Sequence, residues 1–364
     1  MTTKRNIKIV NIIGARPNIM KIAPLVEEMK KHRRIEPLLV HTGQHYDAGM
    51  SDVFFRELSI PRPDYNLGVG SGPCEKQIAE MVRRLETALV KESPDIVFVY
   101  GDTNSTLAGA LASERLDIPL AHVEAGLRSF NRAMPEEANR VKTDRMSNIL
   151  FCPTRTAVEN LRREGITKGV YLVGDVMLDM LARYAKEAKR SRILARLGLK
   201  NGGYYLATVH RAGNTDDVRR LKALMRAFDK LDKTVVFPAH PRTAKAIVCN
   251  GIKVGDNIAL IKPVSYFDML ALEMGAAAIL TDSGGVQKEA AFFKVPCVTL
   301  RDETEWVETV KSGWNILTGV SEAKIDRALA KFARCRPRTR TYPRTAGSAH
   351  KMLQIALKFM KGRE

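Results

Sequence analysis

A chain of 364 residues with 45% hydrophobic and 27% charged residues exceeds the roughly 250–300 residues at which a single core stops growing, so two globular domains are expected. No apolar run approaches the ~18 residues of a membrane span, and the N-terminus lacks the long apolar stretch and small-residue cleavage site of a secretory signal. Five scattered cysteines without CxxC spacing exclude a disulfide framework and a structural metal site, and point to a reducing cytoplasm.

The formal net charge is +19. Such an excess suits nucleic acid, an anionic surface or an anionic small substrate. Ten Lys/Arg between Lys331 and Arg363 face one acid, Glu364, but few aromatics accompany them, so this segment reads as a solvated basic face and not as a nucleic-acid site.

In chain order, apolar runs recur with helix-length amphipathic segments between them, the pattern of parallel βαβ units. The first series is 7–14, 36–43, 95–102, 119–126, 148–154 and 169–175; the second is 204–211, 234–241, 258–263, 276–285, 296–302 and 314–319. The expected architecture is α/β, two Rossmann-like doubly wound domains facing a cleft. An N-terminal domain would span 1–178, a charged hinge 179–203, a nucleotide-binding domain 204–345, and a last helix, 346–364, would return to the first domain. The polar motifs cluster at predicted strand ends: GARPNIMK after the first strand, GDTNST after the third, HVEAGLRS after the fourth, HRAGN and DSGG in the second half. Ligands of such sheets bind at the carboxyl ends of the strands.

TDSGGVQKEA, 281–290, reads as a strand, a glycine turn and a helix N-terminus, a junction whose free N–H groups and dipole suit a diphosphate. Ser283, Gly284 and Gly285 would cradle it, with Glu289 reaching a ribose. Arg16 and Lys21 at the first strand-to-helix junction can hold a diphosphate or a sugar hydroxyl. Asp102, Glu124 and Glu136 form a carboxylate set from three successive segments, in which like charges would push pKa values apart and so separate acid from base. Asp102 and Glu136 also read as helix-capping residues. His210, beside Arg211, can serve a leaving phosphate or relay a proton, while His122 fits a packed core histidine equally well. GVGSGP, 68–73, follows a turn and not a buried strand, so it is no dinucleotide fingerprint. The chain has no GxxxxGK[ST], GxSxG or HExxH.

With GARPNIMKIAPL, HTGQHYD, YGDTNSTLAGALA, HVEAGLRS, PEEANR, TVHR, LTDSGGVQKEA and RDETE in this order, nearly the whole chain resembles the non-hydrolysing UDP-N-acetylglucosamine 2-epimerase family, which has the GT-B fold. The resemblance implies interconversion of UDP-GlcNAc and UDP-ManNAc through C2 proton abstraction, loss of UDP to give 2-acetamidoglucal, and re-addition, with no cofactor and no obligatory metal. It implies Asp102, Glu124, Glu136 and His210 as catalytic residues and Arg16, Lys21, Ser283, Gly284, Gly285 and Glu289 as substrate and UDP contacts. A homodimer, and a second UDP-GlcNAc as activator near Gln44 and Arg211, are further implications. Three departures stand out: Gly213 replaces the glutamate of HRxEN, Trp306 replaces the arginine of TERPE, and Met269 lies where many members have phenylalanine. TEWVE with SFNRAMPEE is also similar to the branch acting on UDP-2,3-diacetamido-2,3-dideoxyglucuronic acid, the alternative substrate. A GT-B glycosyltransferase shares the cradle but needs no proton transfer at C2.

Overall fold

The computed structural model describes residues 5–44, 55, 57–335, 337 and 347–363, with the backbone alone at 16 and 17. His45, Tyr46 and Asp47 of HTGQHYD and much of the basic segment after 335 lie outside the described residues. The chain forms two compact units, 1–183 with 343–364, and 184–342.

In the first unit β1 (Ile7–Ile13), β2 (Ile35–His41), β3 (Tyr65–Asn66), β4 (Ile96–Tyr100), β5 (Leu120–Val123), β6 (Ile149–Cys152) and β7 (Val170–Leu172) form one sheet in the order β3-β2-β1-β4-β5-β6-β7. Every pairing is parallel. The central strands are near-continuous apolar runs because helices cover both faces of a parallel sheet; β4 is buried along its whole length. The sequence pattern finds these strands except β3, a two-residue edge pairing within PRPDYNL. The order reverses between β1 and β4, which places a crevice at their carboxyl ends.

The helix Ser348–Lys361 belongs to this unit and packs on the helix Arg16–Lys30, as expected for a last helix returning to the first domain. It buries Met352, Leu353, Ala356 and Met360. Asp179 accepts the backbone N–H groups of Gly347 and Ala349, each at 2.8 Å, so a side chain remote in sequence caps the helix N-terminus. His350 lies 2.8 Å from Glu28.

The second unit repeats the plan with β8 (Tyr205–Thr208), β9 (Val235–Pro238), β10 (Ile258–Ile261), β11 (Ala278–Thr281), β12 (Cys297–Thr299) and β13 (Asn315–Leu317) in the order β10-β9-β8-β11-β12-β13. Its reversal lies between β8 and β11. Leu206, Ile279 and Leu280 are wholly buried.

Candidate active site

At the reversal of the first sheet, Asn18 ties β1 to β4. Its Oδ1 accepts from the N–H of Ala15 at 3.1 Å and its Nδ2 donates to the Tyr100 carbonyl at 2.7 Å. One helical turn on, the Lys21 ammonium forms an ion pair with the Glu124 carboxylate, and both residues are buried. Glu124 has φ +78°, a left-handed backbone that disfavours any side chain, and such strain concentrates at functional sites. Gly101 is a glycine for two reasons: its φ is +67°, and a Cβ there would stand 2.5 Å from the Lys21 Nζ.

Asp102 pairs with Arg140, whose other amino group lies 2.7 Å from Glu137. Asn139 donates to the Asp102 carbonyl at 3.0 Å. Glu137 also accepts from Ser129 N at 2.9 Å and Phe130 N at 3.0 Å, so the buried acid of PEEANR holds a loop. Its neighbour Glu136 is half-buried in the first helical turn with no ion pair or hydrogen bond among the described residues. Asp102 and Glu124, two of the carboxylates expected to act as a set, each face a cation. The sequence pattern missed Arg140 because its spacing on the helix Pro135–Met146 reads as a solvated face.

His122 is fully buried, its Nε2 2.8 Å from the Gly101 carbonyl and its Nδ1 2.7 Å from Asp144. Burial alone would raise the Asp144 pKa, but the charges of His122 and Arg128 outweigh it and hold the carboxyl below its ordinary value. Arg128 contacts Asp144 at 2.7 Å and Glu164 at 2.6 Å.

Gln44, the expected activator contact, accepts from Ser105 N at 3.0 Å and Ser105 Oγ at 2.7 Å, which caps the helix Asn104–Arg115. The side chain of Arg16 lies outside the described residues, and its backbone opens the helix Arg16–Lys30.

In the second unit Ser283 caps the helix Gly284–Phe293, and its own N–H donates to Thr281 Oγ1 at 2.9 Å. The first-turn N–H groups have no acceptor within the helix, which leaves Gly284 and Gly285 able to meet an anion. A Cβ on Gly284 would stand 2.3 Å from Glu305 Oε1 and 3.1 Å from the Trp306 indole nitrogen. Glu305 is buried, with Arg301 Nη1 at 3.0 Å and Arg211 Nη2 at 3.5 Å. The Lys288 ammonium lies 4.1 Å from the centre of the Trp306 ring. Glu289 is buried, with the Tyr266 hydroxyl 3.5 Å away. Asp282, which the sequence reading passed over, accepts from His210 N and Arg211 N at 3.1 Å and from Asn214 at 3.1 Å. The His210 Nδ1 lies 3.5 Å from Asp282, and the ring is partly exposed. Gly213 has open space around the position of a Cβ. Met269 is buried in the core beside β11. Among the described residues no group of three or more His, Cys, Asp or Glu could hold a metal.

Two parallel Rossmann-like units of this order define the GT-B class of α/β protein. The family described as UDP-N-acetylglucosamine 2-epimerase matches residues 27–353, and the chain belongs to that family of isomerases. It is 52% identical to a UDP-N-acetylglucosamine 2-epimerase homolog of Methanococcus maripaludis, over 96% of this chain and 98% of the relative. It is 47% identical to the UDP-2,3-diacetamido-2,3-dideoxy-D-glucuronate 2-epimerase of Pseudomonas aeruginosa, over 87% of this chain and 90% of that one. The crystal structure of Methanocaldococcus jannaschii UDP-GlcNAc 2-epimerase, in complex with UDP-GlcNAc and UDP, superposes with a TM-score of 0.91 at 41% identity, covering 97% of this chain and 100% of that one.

Proposed function

We propose that the protein interconverts UDP-GlcNAc and UDP-ManNAc by elimination and re-addition of UDP. A base removes the C2 proton, the C1–O bond breaks with its electrons leaving on UDP, and a C1=C2 double bond forms. A proton then returns to the opposite face of C2 while a UDP oxygen attacks C1. The observation that carries this reading is the pair Asp102 and Glu124 at neighbouring strand ends, each held by a buried cation; proton transfer at carbon needs acid and base side chains fixed in position, and carboxylates can serve.

Asp102, Glu124 and Glu136 supply the proton transfers, and His210, held by Asp282, serves the departing phosphate. Arg16, Lys21, Ser283, Gly284, Gly285 and Glu289 contact the UDP-sugar. The domain limits read from the sequence, a homodimer, a cytoplasmic setting and a second UDP-GlcNAc near Gln44 and Arg211 belong to the same proposal. No helix among the described residues is long and apolar enough to cross a membrane. The test is incubation with UDP-GlcNAc in D2O, followed by NMR of the sugar protons. UDP-ManNAc carrying deuterium at C2 is the expected product, and absence of both exchange and product overturns the assignment.

A second substrate, the diacetamido-glucuronate sugar nucleotide, is favoured by Trp306 and Lys288 standing together beside Gly284 and by the Pseudomonas aeruginosa relative. Turnover of that substrate alone, in the same assay, would select it.

A further inference from the structure

We propose that His122 and Asp144 form a buried positioning pair that sets both catalytic turns, the one carrying Asp102 and the one carrying Glu124. The inference deepens the epimerase reading and rests on it for the meaning of those carboxylates. Neither residue touches solvent, so neither meets substrate; both act through the main chain.

The carbonyl of Gly101 only accepts, so the His122 Nε2 carries the hydrogen and donates across 2.8 Å. The residue after Gly101 is Asp102. On the other side of the ring Nδ1 donates to Asp144 Oδ1 across 2.7 Å, because an ionised carboxylate only accepts. The second oxygen, Oδ2, accepts the Gly126 N–H at 3.1 Å, two residues beyond Glu124. One imidazole and one carboxylate thus grip the turn after β4 and the turn after β5 together.

The Lys21–Glu124 pair lies directly against Gly101, with Lys21 Nζ 2.5 Å and Glu124 Oε2 3.4 Å from where a Cβ would stand at that position. A shift of the Gly101 turn therefore disturbs the Lys21–Glu124 pair as well as Asp102. Charges buried this deeply are costly unless fully hydrogen-bonded, and here Arg128 and Glu164 extend the network to the outside. An apolar pair would fill the space at less cost but would hold neither turn.

Three measurements test the pair. Asp144→Asn keeps the shape but has a single amide oxygen, which cannot accept both from His122 at the Oδ1 position and from Gly126 at the Oδ2 position, and His122→Gln loses one of the two donors. In both, kcat is expected to fall on the order of 10²-fold, the loss that follows ångström-scale misplacement of catalytic groups, while KM stays within about threefold. In the same variants amide hydrogen exchange is expected to quicken at 101–103 and 124–126 and to stay unchanged within β4 and β5. Loosening along the whole sheet, or no change at the two turns, overturns the proposal. Unaltered protein supplies the third measurement, two slowly exchanging ring N–H signals from His122 by NMR, and a single one overturns the double-donor geometry even if the variants do not fold. If unaltered protein turns over neither UDP-sugar, the epimerase reading fails, and exchange and NMR still decide the positioning.

Discussion

At the carboxyl ends of β4 and β5 the first unit buries charge against charge, Lys21 on Glu124 and Arg140 on Asp102. At the carboxyl ends of β8 and β11 the second unit presents a helix N-terminus, where Asp282 is tied to backbone N–H groups and Glu305 is buried against Arg301. The backbone follows the same division. Glu124 and Phe130 take positive φ around the first site, whereas in the second unit Lys294, at the far end of the helix Gly284–Phe293, is the non-glycine residue that does so among those described. Two copies of one topology thus differ in where they place backbone strain, and under the proposed function the strained side carries the C2 chemistry while the unstrained side holds the nucleotide.

The largest expected effect falls on the strained side. Glu124→Gln should lower the epimerisation rate by about 10²–10⁴-fold while calorimetry finds UDP affinity unchanged; near-normal turnover would remove Glu124 from the chemistry and blur the division. Lys21→Met leaves the Glu124 carboxylate buried without its cation, which costs about 3–5 kcal/mol of stability and should be read as a lower denaturant midpoint. If stability is retained, the pair is less isolated from water than its burial implies. On the binding side, Gly284→Val drives a side chain into Glu305 and Trp306, and UDP affinity should fall by about 10–100-fold, or 1.4–2.7 kcal/mol, with C2 chemistry on bound substrate spared. Equal losses of kcat and affinity would erase the contrast.

The smallest effect lies away from both sites, at Glu28. Burial raises its pKa, but hydrogen bonds from Lys31 and His350 outweigh that and hold it below its ordinary value of 4.5. A depressed carboxyl contributes its stability fully above the unfolded value and loses it as pH falls through the folded one. His350→Ala should therefore reduce stability by about 0.5 kcal/mol near pH 5.5 and by less below pH 4, measured by urea unfolding at the two pH values.

How much of this could be read from residues alone differs between elements. The twelve apolar runs announce themselves because parallel strands are buried on both faces, and the turn motifs follow because glycine and charge gather at strand ends. The edge strand Tyr65–Asn66 gave no such signal, since two residues have no periodicity. At the sites, Asp102, Glu124 and His210 were legible from position after a strand. Their supports were not: Asp144 and Arg140 sit amid charged residues of the helix Pro135–Met146, where a buried face looks like a wet one until the sheet is assembled beside it. Gln44 illustrates the converse, a residue singled out for a ligand that also caps the helix Asn104–Arg115.

The helix Ser348–Lys361 has a consequence for synthesis on the ribosome. The second unit is continuous in sequence, whereas the first combines 1–183 with 343–364. Residues 184–342 can therefore complete their core as they emerge, while the helix Arg16–Lys30, made long before, waits for Met352, Leu353, Ala356 and Met360 to cover it. During that interval the first unit exposes an apolar face to chaperones and to aggregation, and Asp179 has no Gly347 or Ala349 to cap. The domain begun first is the one finished last.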